Sequence, residues 1–147
     1  MLSNINRILI PGGYLAAAVW ATPDKVPIFA LAINTVRQET HAPAPLPGTP
    51  GLFSLSDENQ LKNSLVKVGF KEVHTEHLNA VVEFDSAEDY TLFQQSIAAP
   101  VIAMLANETK SRQDEIWSRV TNAAKKYSDN SGHVKLSNET ICIVGRK

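Results

Sequence analysis

Histidine is the residue type in this chain most suited to acid–base or metal chemistry, and it occurs four times. His74 and His77 are three positions apart in a predicted strand, so their side chains point to opposite faces and cannot share a metal ion. His41 lies beside a proline-rich stretch and His133 just after a predicted turn. Either could act as a base in a complete enzyme, but no partner residue is identifiable for either. The sequence therefore predicts no catalytic residue and no metal site.

The single cysteine, Cys142, lies in the apolar run Thr140-Ile141-Cys142-Ile143-Val144. A free thiol in such a run behaves as a small buried hydrophobe, and no arrangement of His and Cys for catalysis surrounds it. One unpaired cysteine indicates a reducing, cytoplasmic setting. The acidic residues are spread over predicted helix surfaces, which is typical of solvated faces.

Length and composition favour a single domain over residues 1–147. The chain has 147 residues, of which 44% are apolar, enough for one compact core. Its net charge is −1 and its 14 basic residues are scattered, so nucleic acid is not an expected partner. No apolar stretch reaches the length of a membrane span, and Pro11-Gly12-Gly13 interrupts the N-terminal stretch that would otherwise resemble a secretory signal.

The segment from Arg7 to Trp20 predicts a sharp turn into a strand. Pro11 restricts its own φ, and Gly12 and Gly13 allow the positive φ values that such turns need. The run Tyr14-Leu15-Ala16-Ala17-Ala18-Val19-Trp20 has no polar alternation. Such a run is typical of a strand that is covered on both faces.

The remaining pattern predicts an α/β fold with three strands at about residues 13–20, 72–84 and 138–145. A helix starts near Pro27, and a connector with four prolines follows at residues 41–51. Ser56 is the expected N-cap of the next helix, which ends at Gly69. The capping box that starts at Ser86 opens a helical segment over about residues 86–128.

The order of these pieces resembles the C-terminal half of a class I S-adenosylmethionine-dependent methyltransferase, of the small-molecule group that includes ubiquinone and menaquinone biosynthesis enzymes. Arg7-Ile8-Leu9-Ile10-Pro11-Gly12-Gly13-Tyr14-Leu15 is similar to that family's turn into its fifth strand, R-V-L-K-P-G-G-x-L, with Ile10 where lysine is common. Val68-Gly69-Phe70-Lys71-Glu72-Val73 resembles the entry to its sixth strand. Ser86-Ala87-Glu88-Asp89-Tyr90 resembles the start of its helical cap.

This resemblance implies a truncated Rossmann-like fold with a mixed three-stranded sheet, in which the fifth strand lies beside the seventh and the sixth lies outside the seventh. The family's G-x-G-x-G loop and the acidic residue after its second strand are both missing from this chain. Those features hold the cofactor. The resemblance therefore implies no S-adenosylmethionine site in this chain alone, and a site only if a complementary N-terminal half supplies it.

Position in the family implies five aromatic residues that would face a substrate pocket: Trp20, Phe29, Phe53, Tyr90 and Phe93. Each could equally be a core residue, because aromatic side chains at these spacings normally fill interiors.

Without the fourth strand of the family, the strand Tyr14 to Trp20 would keep an unpaired edge and an uncovered apolar face. The first hypothesis is therefore a self-associating module that forms a homodimer through Tyr14, Leu15, Ala16, Ala17, Ala18, Val19 and Trp20, by pairing or swapping, and is inactive alone. The second is one subunit of a split methyltransferase. The third is a protein that binds a small apolar ligand under the cap.

Overall fold

The computed structural model describes residues 1–46 and 48–147. Pro47, part of the predicted proline-rich connector, lies outside the described residues. The helices are α1 (Leu2–Ile8), α2 (Pro27–Thr40), α3 (Glu58–Lys67), α4 (Ala87–Ile97), α5 (Ala99–Leu105) and α6 (Lys110–Ala124). The strands are β1 (Tyr14–Trp20), β2 (Lys71–Phe84) and β3 (Val134–Arg146). The predicted α/β class with three strands is therefore confirmed.

The three strands form one sheet in the order β1-β3-β2. The strand β1 runs antiparallel to β3, with Tyr14 opposite Arg146 and Trp20 opposite Thr140. This is the relative order that the methyltransferase resemblance implied for strands five, seven and six. The first two strands begin within one residue of their predicted starts, whereas β3 begins at Val134, four residues before its predicted start.

Contacts between Cα atoms divide the chain into two compact units. Unit 1 comprises Met1–Lys25, Gly48–Ala80 and Glu139–Lys147, and unit 2 comprises Val26–Pro47 and Val81–Asn138. The strands β2 and β3 each contribute residues to both units. The single-domain interpretation of the sequence stays a prediction.

Unit 1 is built where helix α3 packs on the sheet. Leu61 and Leu65 of α3 are buried, as are Phe70, Ile141 and Ile143. A Cβ added at Gly145 would lie 3.2 Å from side-chain atoms of Leu65 and Phe70, so a larger residue there would require these side chains to move by a few tenths of an ångström.

Both ends of α3 are closed by local hydrogen bonds. Its N-cap is Asp57, whose Oδ1 accepts from the Gln60 N–H at 2.9 Å, so the predicted cap, Ser56, was wrong by one residue. Gly69 follows the C-cap with φ +100°, and Phe70 N–H donates to the Leu65 carbonyl at 3.2 Å. This arrangement is a Schellman motif, so Gly69 ends the helix as predicted.

Unit 2 is a cluster of helices in which α2 packs against α4, α5 and α6. Helix α2 begins at Pro27, as predicted. Helix α4 begins at the predicted N-cap, Ser86, whose Oγ accepts from the Asp89 N–H at 3.0 Å and donates to Asp89 Oδ2 at 2.6 Å. The buried side chains of this core include Val36, Tyr90, Val101, Ile116, Val120, Val134 and Leu136.

None of the helices in the described part of the chain, residues 1–46 and 48–147, combines the length and apolar character that crossing a membrane requires.

Candidate functional site

Strand β1 is an apolar element of unit 1 that is open to solvent. Its seven residues Tyr14–Trp20 are exposed or half-buried, and none of them is fully buried. The side chain of Tyr14 is 61% exposed. The prediction of a strand covered on both faces was therefore wrong. An apolar run shows only that both faces of the strand could be buried, and does not show whether another element packs on them. In the structure the apolar side chains of β1 are partly or fully open to solvent instead.

The hydrogen-bond register decides which backbone groups of β1 are turned outward. Ala21 N–H donates to the Glu139 carbonyl at 3.1 Å, and the Gly13 carbonyl accepts from Lys147 N–H at 2.8 Å. In an antiparallel pair, bonding to a given side alternates from residue to residue. Odd-numbered residues of β1 therefore point their N–H and C=O groups at β3, while Ala16 and Ala18 point theirs away from it. Among residues 1–46 and 48–147, no further strand pairs with that edge.

One face of the sheet in unit 1 carries a shallow groove of about 670 Å³. Small side chains form its floor, and it is lined by Ala16, Ala17, Ala18, His74, Thr75, Glu76, Cys142, Ile143 and Val144. Cys142 is half-buried and free rather than fully buried, which corrects the sequence interpretation. The alternation of burial explains this: Ile141 and Ile143 point into the core, so Cys142 points to the opposite face.

On the other face of β2, His77 lies between two carboxylates. Its Nδ1 lies 2.7 Å from Glu139 Oε1, and its Nε2 lies 2.8 Å from Glu58 Oε2. Both ring nitrogens can donate only when the imidazole is protonated, so this geometry favours the imidazolium. Lys62 and Thr75 also donate to Glu58, and Lys25 donates to Glu139 at 2.8 Å. The cluster therefore joins α3, β2 and β3.

These contacts change the acid–base behaviour of the cluster. The hydrogen bonds from Lys62, then Thr75 and His77, lower the pKa of Glu58 to about 2. Those from Lys25 and then His77 lower the pKa of Glu139. The two carboxylates in turn raise the pKa of His77, Glu58 having the larger effect. Glu58 and Glu139 are therefore not simply solvated acidic residues, since each binds side chains of other elements.

The five predicted pocket residues do not all lie in one unit. Tyr90 and Phe93 lie together in unit 2, where the Phe84 ring is 5.4 Å from that of Tyr90 and 5.3 Å from that of Phe93. Phe29 is half-buried on α2 in the same unit. Trp20 and Phe53 belong to unit 1. None of the five lines the sheet groove, so their role as pocket residues stays a prediction.

Tyr90 is held inside unit 2 by its hydroxyl group. The hydroxyl donates to the Ile28 carbonyl at 3.1 Å, and Gln94 Nε2 donates to the same oxygen at 2.7 Å. Burial raises the pKa of Tyr90, so it stays a neutral phenol. The Ile28 N–H donates to Asn138 Oδ1 at 2.9 Å. Ile28, Tyr90, Gln94 and Asn138 thus form a buried polar network at the start of α2.

His41 and His133, the two histidines considered as possible bases, both belong to unit 2. His41 is the C-cap of α2, and His133 Nδ1 lies 3.9 Å from Asp129 Oδ2. Within residues 1–46 and 48–147, no group of three or more His, Cys, Asp or Glu side chains is arranged to hold a metal ion.

Comparison with known proteins adds little to this geometry. No protein-family model matches the chain, and no curated protein matches it. A solved structure from Bacillus halodurans C-125, described as a "putative methyltransferase", is 19% identical, with a TM-score of 0.40. The match covers 99% of this chain and 56% of that one, so this chain spans little more than half the length of that protein. At this level of likeness the comparison supports no argument about function.

Proposed function

We propose that the chain is a methyltransferase-like module, equivalent to the C-terminal half of such an enzyme, that self-associates through β1. The observation that carries this proposal is the free edge of β1, where Ala16 and Ala18 turn their hydrogen-bonding groups away from β3. The resemblance in sequence at the Pro-Gly-Gly turn and the strand order β1-β3-β2 support the relation to methyltransferases.

A second copy of this chain fits the edge better than an unrelated partner because β1 is complementary to itself. Antiparallel pairing centred on Ala17 brings all seven residues into register, with Tyr14 opposite Trp20 and Ala16 opposite Ala18. Small side chains then meet at the centre and large ones at both ends. The strand contains no charge and no proline, the usual features that prevent edge pairing.

Self-association is tested by light scattering at micromolar concentration. We expect a dimer for the unmodified chain and a monomer for Ala16→Pro, whose lost N–H points to the free edge. Its far-ultraviolet circular dichroism should be unchanged. The control Ala17→Pro removes an N–H that points at β3 and should damage the sheet itself. An unmodified chain that stays monomeric at tens of micromolar would contradict the proposal.

The register is tested by cross-linking in a Cys142→Ser background. Around a twofold axis at Ala17, the two Ala17 Cα atoms would be about 4.5 Å apart, which a disulfide can span. Ala17→Cys should therefore form a cross-linked dimer on oxidation. The matched control is Leu15→Cys, on the same face of β1, which would lie opposite Val19 and should not cross-link. Equal cross-linking by both variants would contradict this register.

The second candidate function is a subunit of a split methyltransferase, in which another chain occupies the β1 edge. The residues present do not fit S-adenosylmethionine: Gly13 and Gly145 pack against the protein's own atoms, and within residues 1–46 and 48–147 no glycine-rich loop leads from a strand into a helix. Calorimetry with S-adenosylmethionine distinguishes the cases. The first proposal expects no binding by this chain alone, and a split enzyme expects binding only after the complementary chain is added.

A further inference from the structure

His77 joins two carboxylates of unit 1 through the two nitrogens of one ring. Its Nε2 lies 2.8 Å from Glu58 Oε2, and its Nδ1 lies 2.7 Å from Glu139 Oε1. The ring can hold both carboxylates only while both nitrogens carry a proton, because a neutral imidazole has a single N–H. Loss of one proton therefore leaves a nitrogen lone pair facing a carboxylate oxygen, and these two groups repel each other.

The other hydrogen bonds of the cluster make the two ends of this bridge unequal. Glu139 Oε1 accepts from Lys25 Nζ at 2.8 Å as well as from His77. Glu58 takes its two other side-chain bonds on Oε1, and its Oε2 is the oxygen that faces His77. The contact at Oε2 therefore depends on the ring more than the contact at Glu139 does. We expect a neutral His77 to keep its proton on Nε2 and to lose the one on Nδ1.

Loss of the Nδ1 proton would release Glu139 together with Lys25. Lys25 ends the short 3₁₀ turn Pro23–Lys25 that follows β1, so the bonds from Lys25 through Glu139 to His77 connect this turn to β2. The backbone bond from Ala21 N–H to the Glu139 carbonyl, at 3.1 Å, does not involve the ring. Release would therefore change the turn and leave the pairing of β1 with β3 in place.

We propose that His77 is a pH-sensitive latch on the turn that follows β1. The protonated ring connects Glu139 and Lys25 to β2, and the neutral ring releases this pair while it keeps Glu58. The latch does not use the free edge of β1, so this proposal and the one on self-association can fail independently. The charged groups around the ring come from α3, β3 and the turn, and they are Glu58, Lys62, Glu139, Asp24 and Lys25.

The test is a pH titration of the full ¹⁵N-labelled chain by nuclear magnetic resonance, from about pH 5 to about pH 9. The ring ¹⁵N shifts of His77 report which nitrogen loses its proton. The neighbouring carboxylates raise the pKa of His77, so we expect Nδ1 to lose its proton at a midpoint above pH 6.5. The heteronuclear NOE of the Asp24 and Lys25 amides should fall with the same midpoint, while that of Ala21 stays constant. A proton lost from Nε2, or an NOE at Lys25 that does not change, would overturn the proposal.

A matched pair of variants separates the latch from a general effect of charge. Glu139→Gln keeps the contact at every pH, because an amide can accept from the protonated ring and donate to the neutral one. It should abolish the pH dependence of the NOE at Lys25 and lower the midpoint of His77. Glu76→Gln removes a carboxylate from the groove face of β2 and should change neither. A pH dependence that persists in Glu139→Gln would contradict the latch.

Discussion

The strand β1 and the helix α2 are both apolar segments that follow a proline, yet they end in opposite environments. Helix α2 buries Ile28, Ala30, Ala32 and Val36 in the core of unit 2. Strand β1 buries none of Tyr14–Trp20 completely. The difference shows that apolar composition sets how much surface a segment could bury. The elements that pack against the segment determine how much of that surface is buried.

The largest expected effect is in the core of unit 2. Ile116 is fully buried, and Ile116→Ala should lower the free energy of unfolding by about 3 kcal/mol, because it removes apolar burial and leaves a cavity. Urea unfolding followed by circular dichroism measures this change. Tyr14→Ala on β1 is the control and should cost about 0.5 kcal/mol in dilute, monomeric protein. Equal losses would remove the contrast between the two regions.

The next effect concerns the polar network of unit 2. Asn138 is fully buried, and Asn138→Ala leaves the Ile28 N–H without the acceptor it has at 2.9 Å. We expect a loss of about 2 kcal/mol in the free energy of unfolding, the usual cost of an unsatisfied buried donor. A loss below about 0.5 kcal/mol in the same urea experiment would show that the start of α2 does not depend on this bond.

A smaller effect is expected for the hydroxyl of Tyr90. Tyr90→Phe removes its bond to the Ile28 carbonyl, but that oxygen keeps the Gln94 bond at 2.7 Å. The expected loss is about 1 kcal/mol. Measuring both variants under the same conditions checks the order: a Tyr90→Phe effect larger than that of Asn138→Ala would contradict the network as described.

The smallest effect is the pH dependence of unit 1. The pKa of His77 is higher in the folded protein than its unfolded value of 6.5, so the protonated imidazole stabilises the fold. This contribution is complete below pH 6.5 and is lost as the pH rises through the raised pKa. The pKa of Glu58 is lowered from 4.5 to about 2, so the ionised carboxylate stabilises the fold. This contribution is complete above pH 4.5 and is lost as the pH falls towards about 2. Both contributions are therefore complete between about pH 4.5 and 6.5.

His77→Gln should flatten the decrease in thermal stability above pH 6.5, as measured by melting temperature against pH. The control is His74→Gln, on the groove face of β2, which should leave the profile unchanged. A profile for His77→Gln that overlays that of the unmodified chain would show that protonation of His77 does not contribute to stability.

Local signals allowed much of the fold to be predicted. The Pro-Gly-Gly turn located β1, Pro27 located α2, and the capping-box sequence at Ser86 located α4, because each depends on interactions within a few residues.

The first four residues of β3 were missed because the burial pattern of this strand is irregular. Val134, Leu136 and Asn138 are buried, but from Ile141 onward the odd-numbered residues are buried, so the two-residue period shifts near Glu139. A single alternation pattern could not cover both halves of the strand.

The candidate sites were harder to predict because they combine distant residues. His77 meets Glu58 and Glu139 from 19 and 62 positions away in the sequence, so no local pattern indicates the cluster. The exposure of β1 could be argued only from the family resemblance, since its sequence alone favours burial.

The position of β3 in the sheet has a consequence for the synthesis of the protein. The strand that lies between β1 and β2 follows both of them in the sequence. On the ribosome, β1 and β2 must therefore emerge before the shared partner that pairs with them. During that interval the alanine-rich strand is unpaired along both edges, which exposes the growing chain to edge-to-edge aggregation.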